Sequence, residues 1–179
     1  MTKTSVAVFG SSQAPRDSPH YRLAREVGAA LAKRGATVRC GGYGGVMAGV
    51  AEGASAAGGH VVGCTLAWYA DSRQPCSQLS EVCEADDLAG RIANLLSGTR
   101  AAIVLPGGVG TFSELFWVWT LLTHRRKEGP DSLVLLGEHW EELLDLLGRR
   151  FEFGPELRSL LRVAGDPNEA VAIAWGERQ

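Results

Sequence analysis

The segment Ala101-Ala102-Ile103-Val104-Leu105 followed by Pro106-Gly107-Gly108-Val109-Gly110-Thr111-Phe112-Ser113-Glu114 constrains the fold of this chain more than any other. A short apolar run, a glycine-rich turn and the apolar-rich stretch 115–122 read as strand, turn and helix, with the turn at the carboxyl end of a buried strand. Gly107, Gly108 and Gly110 let the backbone pass close to a ligand. Unpaired N–H groups at the start of the next helix, aided by its dipole, favour an anion there. Thr111 adds a hydroxyl donor or a cap, and Glu114, about one turn into the helix, sets a carboxylate beside whatever the turn holds. A phosphate cradle edged by a carboxylate points to chemistry on a phosphorylated sugar.

The same residues also fit a plain tight turn with an acid favoured by the helix dipole. Two nucleotide motifs fit them poorly. A P-loop ends in Gly-Lys-Ser/Thr, and no lysine follows these glycines. A dinucleotide fingerprint wants a third small residue where Ser113 stands and an acid closing the next strand, where Gly137-Glu138 is a partial match.

Further short apolar runs at 6–9, 37–40, 60–64, 81–84, 132–136 and 163–164 read as strands. Helical patterns occupy 21–34, 46–57, 140–149, 155–161 and 167–175. Asp86 or Asp87 is positioned to cap a helix carrying Arg91, and Asp166-Pro167 has the cap-then-proline order of a helix start. Alternation of this kind predicts an α/β fold, a Rossmann-like parallel sheet with helices on both faces, in one domain over 1–179. Segment 66–80 is irregular and reads as a lid or an insert, with Trp68 and Tyr69 able to stack on a base or plug the core.

A net charge of −2 gives no basic face for nucleic acid, and no apolar stretch is long enough to span a membrane. The residues before the first strand leave no room for a signal peptide, so a cytoplasmic location is expected. Cys40, Cys64, Cys76 and Cys83 lack paired spacing and read as reduced thiols. His20, His60, His124 and His139 lack the spacing of a metal site, so neither metal nor cofactor is expected. Arg125-Arg126-Lys127 reads as a solvated helix end, or as a rim attracting an anionic substrate.

Taken with Gly10-Ser11-Ser12 after the first strand and Gly41-Gly42-Tyr43-Gly44-Gly45-Val46-Met47 after the second, the 106–114 signature resembles the LONELY GUY family. Those proteins are nucleoside 5'-monophosphate phosphoribohydrolases that release cytokinin bases, and many relatives are labelled lysine decarboxylases. The likeness runs from Val6 to Leu136. It implies a homodimer, AMP or an N6-modified AMP as substrate, and Glu114 and Arg91 as the catalytic pair. The family's lysine after the arginine is Ile92 here, and a frequent aspartate before the central strand is Arg100, which leaves the preferred base open. Related subfamilies are thought to carry the molybdenum cofactor without catalysis, so a nucleotide- or cofactor-binding carrier is the alternative. Lysine decarboxylation is disfavoured because no lysine lies near the glycine signature.

On this reading Gly107, Gly108, Gly110 and Thr111 hold the 5'-phosphate, while Ser11, Ser12, Gly42 and Asn94 are further candidate contacts. Glu114 stabilises positive charge on the ribose or activates water. Arg91 holds phosphate or ribose, or fixes Glu114; the alternative is a surface pair with Asp87 on the same helix face. Trp117 shares the face of Glu114 and reads as a core or interface aromatic, with base stacking as the other option. Phe116, Trp117, Trp119, Leu121 and Leu122 spread apolar surface around their helix beyond what one sheet face covers, which predicts burial against a second subunit or against 66–80.

Overall fold

The computed structural model describes residues 5–125 and 129–177. Strands β1 (Ser5–Phe9), β2 (Thr37–Cys40), β3 (His60–Leu66), β4 (Glu81–Ala85), β5 (Thr99–Val104), β6 (Ser132–Leu136) and β7 (Leu161–Ala164) alternate with helices. The helices are α1 (Pro19–Lys33), α2 (Val46–Ala56), α3 (Leu88–Leu96), α4 (Val109–Thr123), α5 (His139–Arg150), α6 (Pro155–Arg158) and α7 (Pro167–Trp175). A 3-10 turn, Ala67–Tyr69, follows β3. The strands form one parallel sheet in the order β4-β3-β2-β1-β5-β6-β7.

Both faces of the sheet are covered, which is why its strands are apolar at consecutive positions. Val6 and Val8 of β1 join a core with α1, α2 and α7, while Ala7 and Phe9 join a second core with α3, α4 and α5. The chain builds outward from β1 to β4 on one side and then crosses to place β5 on the other side of β1. Loops leaving the carboxyl ends of β1 and β5 therefore diverge at that point and open a crevice between them. Ser11 N–H donates to Pro106 C=O at 3.1 Å and ties the two loops together.

Local differences from the sequence pattern have local causes. Helix α1 starts at Pro19 because the Ser18 hydroxyl accepts from Tyr21 N–H. Strand β3 continues to Leu66, paired with β4 through Ala85, and α6 stops at Arg158 because Leu161 is drawn into register with Leu133. Helix α4 begins at Val109, inside the segment read as a turn. Gly108 is its N-cap, so Thr111 is buried in the first turn and does not cap. Asp87 caps α3 by accepting from Gly90 N–H, and Asp166 caps α7. Arg125 lies just past α4 with a left-handed φ of 51°; Arg126 and Lys127 of the basic run lie outside the described residues.

Most of the apolar surface on α4 is covered from within the chain, and not by 66–80. Phe112 packs on Trp140 of α5, Phe116 stacks on Trp119, and Trp119 meets Phe153 at 5.0 Å. The Trp119 indole N–H donates to Leu157 C=O at 3.0 Å. Val109 (89% exposed) and Trp117 (45%) remain open. Among the described residues no helix is long and apolar enough to cross a membrane.

Candidate active site

A cavity of about 400 Å³ opens at the carboxyl edge of the sheet, where the loops after β1, β2, β3 and β5 meet. Glu114 reaches it from α4 and Arg91 from α3. The Arg91 guanidinium donates through Nη1 to Glu114 Oε1 at 3.1 Å and through Nε to Cys64 C=O at 2.8 Å. Both side chains are buried, 13% and 11% exposed. Burial pushes the Glu114 carboxyl up to about 7, against the lowering pull of the Arg91 charge and hydrogen bond. An acid with that affinity for protons is half ionised near neutrality, the condition that suits a general base. Asp87 is occupied as a helix cap, so its surface pairing with Arg91 does not form.

The first turn of α4 supplies the opposite electrostatics. Phe112 N–H is the first to find an intrahelical partner, Gly108 C=O, so the amides of Val109, Gly110 and Thr111 precede the helical ladder. Gly108, Val109, Gly110 and Thr111 line the cavity, as do Ser11 and Ser12. Among the described residues no side chain caps this helix end, which leaves its positive pole facing the cavity.

Three residues expected at the site stand back from it. Gly107 packs behind the turn, where an added Cβ would meet Thr111 Oγ1 at 2.1 Å. Gly42, at φ 77°, packs on Gly63 and Thr65 and accepts Cys76 N–H through its carbonyl. Asn94 uses its carbonyl to receive Arg39 Nε at 2.9 Å, away from the cavity lining. Ile92 sits in the core, facing away from its neighbour Arg91, and Arg100 lies over Trp175. Trp117 is half-exposed on α4 outside the cavity, and Trp68 is exposed to solvent.

Other residues of the site, apart from Tyr69, which was read as able to stack on a base, were not legible as such in the sequence. A Cβ on Gly41 would come within 2.1 Å of Arg91 Nη2 and 2.4 Å of Met47 Sδ, so a side chain there would displace the guanidinium from its present position beside Glu114. The glycine run 41–45 was the available signal, but only the fold shows which glycine faces the arginine. Tyr43, Met47, Leu66, Tyr69 and Arg73 form the remaining wall. The Tyr43 hydroxyl donates to Leu66 C=O and accepts Leu66 N–H at 2.9 Å. Cys40 and Cys64 are buried thiols, pushed by desolvation to about 12 and about 11, and all four cysteines are free. Among the described residues no group of His, Cys, Asp or Glu side chains is arranged to hold a metal.

Fold and site together define a Rossmann-like α/β protein with an anion-favouring cavity and a buried carboxylate–arginine pair at its topological switch point. The family described as “Possible lysine decarboxylase” matches over residues 47–173. A cytokinin riboside 5'-monophosphate phosphoribohydrolase of Mycobacterium tuberculosis is 38% identical over 140 residues, 76% of this chain and 71% of that one. The protein of the same name from Rhodococcoides fascians is 31% identical over 178 residues, 96% and 89% of the two chains. The solved structure of the molybdenum cofactor binding protein from Rippkaea orientalis superposes with a TM-score of 0.76 over 98% of both chains at 19% identity, a likeness of fold alone. The chain belongs to the LONELY GUY family, the same family that carries the lysine decarboxylase label.

Proposed function

We propose that this protein hydrolyses the N-glycosidic bond of a nucleoside 5'-monophosphate, giving free base and ribose 5-phosphate. The observation that carries the reading is the buried Glu114 carboxylate, held by Arg91 in the cavity that the open N-terminus of α4 faces. The helix end takes the phosphate through the amides of its first turn, with Ser11 and Ser12 as neighbouring donors. The ribose then lies over Glu114. As the C1′–N bond lengthens, positive charge grows on the ribose and is stabilised by the carboxylate. A water oxygen bonds to C1′ while its proton passes to Glu114, and the electron pair of the broken bond leaves with the base, which takes up a proton. Arg91 touches Glu114 and the Cys64 carbonyl, so its role is to fix the carboxylate and moderate its proton affinity.

Relatives named as cytokinin riboside 5'-monophosphate phosphoribohydrolases support this reading. The likeness to a molybdenum cofactor binding protein is compatible with a carrier that uses the same cradle without turnover. A carboxylate buried beside the phosphate position is a poor choice for binding an anion alone, which favours catalysis. A panel of nucleoside 5'-monophosphates assayed by chromatography for free base and ribose 5-phosphate tests the reading. Release from at least one nucleotide is expected; tight binding without release from any would replace it with the carrier.

A further inference from the structure

We infer that the segment after β3, through Tyr69 and Arg73, is the base-recognising wall of the cavity and selects 6-oxopurine nucleotides over N6-alkylated adenine nucleotides. The inference rests on the cavity being the nucleotide site. Along the sheet edge the lining follows the strand order β5, β1, β2, β3: the α4 terminus, then Ser11 and Ser12, then Gly41 and Tyr43, then Leu66, Tyr69 and Arg73. A nucleotide has the matching linear order of phosphate, ribose and base. With the phosphate at α4 and C1′ at Glu114, the base falls against the β2–β3 end.

That end is built as a platform. Tyr43 is clamped by two hydrogen bonds to Leu66, and the Tyr69 ring stands edge-on to it at 5.8 Å and 89°. The Arg73 guanidinium lies 4.3 Å over the Tyr69 ring, and Arg73 N–H donates to Tyr69 C=O at 2.8 Å, so both residues sit on one side of a single turn. The segment is pinned to the sheet by Cys76 N–H on Gly42 C=O and Ser80 N–H on Val61 C=O, each 2.8 Å. It is therefore held in place more firmly than a free lid.

Arg91 and Arg73 are the cationic side chains of the cavity, and Arg91 is engaged by Glu114 and Cys64. Among the described residues no acceptor engages the Arg73 guanidinium. Its fork carries donors and no acceptor, and it matches the adjacent O6 and N7 acceptors of guanine or hypoxanthine. Adenine places an N6 donor at the same edge, and an N6-alkyl group would press apolar surface against a charge that needs hydration. The expected order is GMP and IMP, then AMP, then N6-alkylated AMP. This sets the 6-oxopurines ahead of the adenine nucleotides implied by the family resemblance.

The test measures binding by calorimetry for GMP, AMP, N6-benzyl-AMP and ribose 5-phosphate, and kcat/KM for the three nucleotides, with wild type, Arg73→Met and Arg73→Lys. Arg73 is exposed, so these variants should fold. Arg73→Met is expected to lose at least about fivefold on GMP, the low end of what an arginine–purine contact discriminates. Ribose 5-phosphate should change less than about twofold, N6-benzyl-AMP should gain because the charge its alkyl group presses against is gone, and Arg73→Lys should recover only part of the GMP loss because it lacks the fork. An unchanged GMP affinity in Arg73→Met, or a wild type that prefers N6-benzyl-AMP, overturns the inference. Equal losses on GMP and ribose 5-phosphate also overturn it, by making Arg73 a phosphate ligand. The predicted ranking in binding without any base release would support the base wall while removing the hydrolase reading.

Discussion

Replacing Arg91 with glutamine isolates what the arginine does for Glu114. Arg91 supplies both influences that hold the Glu114 proton affinity down, its charge and its hydrogen bond, against the desolvation that raises it. At the observed 3.1 Å, an effective dielectric constant of about 20 gives an attraction of roughly 5 kcal/mol. Glutamine keeps a donor, and water entering the vacated volume recovers part of the rest. If only a third of the attraction is lost, the carboxyl still rises by about one unit, since one unit is about 1.4 kcal/mol. The rising limb of kcat/KM, set near 7 by Glu114 in the wild type, should then move to about 8 or above. At pH 7 the ionised fraction would fall from about half to about a tenth, a roughly fivefold loss recovered by raising the pH. The substrate phosphate titrates near pH 6, but as a property of free substrate it stays put between the two enzymes. The assay is a kcat/KM profile from pH 5 to pH 10 for both proteins. A limb that stays in place, or moves to lower pH, would refute the control of Glu114 by Arg91.

Further outcomes follow from the same geometry. Gly41→Ala places a Cβ within 2.1 Å of Arg91 Nη2, so kcat should fall by at least about tenfold through displacement of the pair; an unchanged kcat in a folded variant would remove Gly41 from the site. If the α4 terminus holds the 5'-phosphate, adenosine should bind at least about tenfold more weakly than AMP, about 1.4 kcal/mol, and equal affinities in calorimetry would sink the cradle. Val109 and Leu88 leave apolar surface open at the cavity and Trp117 leaves more along α4, and we propose that a second copy covers it. Light scattering at micromolar concentration should give twice the 19.0 kDa chain mass, and a clean monomer would end that proposal.

How far the site could be read in advance depended on which interactions are local. The strand–turn–helix at β5 and α4 follows from apolar runs and glycines close in sequence, and β2, β6 and α7 lie within the bounds their patterns predict. The parallel sheet follows from the alternation of such units. Of the two roles read for Thr111, the cap fails because a cap depends on where the helix starts, and the start at Val109 is set by Gly108. Arg91 and Glu114 were associated through a family spacing, while their contact rests on Cys64 and Gly41, neither of which has a signature visible along the chain. Ile92 replaces a charged residue yet sits in a core that only the packing of α3 reveals. Tyr69 and Arg73 lie in a stretch without periodicity, and their position at the cavity comes from backbone bonds to Gly42 and Val61 across the sheet edge. The apolar excess on α4 was read as needing a second subunit or 66–80 because Trp140 and Phe153, which cover much of it, are distant in sequence.

The most direct test of the central claim is base release by Glu114→Gln beside wild type, with nucleotide binding measured on the same preparations. Glutamine preserves shape and an acceptor for Arg91 while removing the charge that matters more in the transition state than in the ground state. The account predicts a folded protein that binds nucleoside 5'-monophosphate with near-normal affinity and loses at least about 100-fold in kcat. A folded Glu114→Gln protein with near-normal kcat would contradict it.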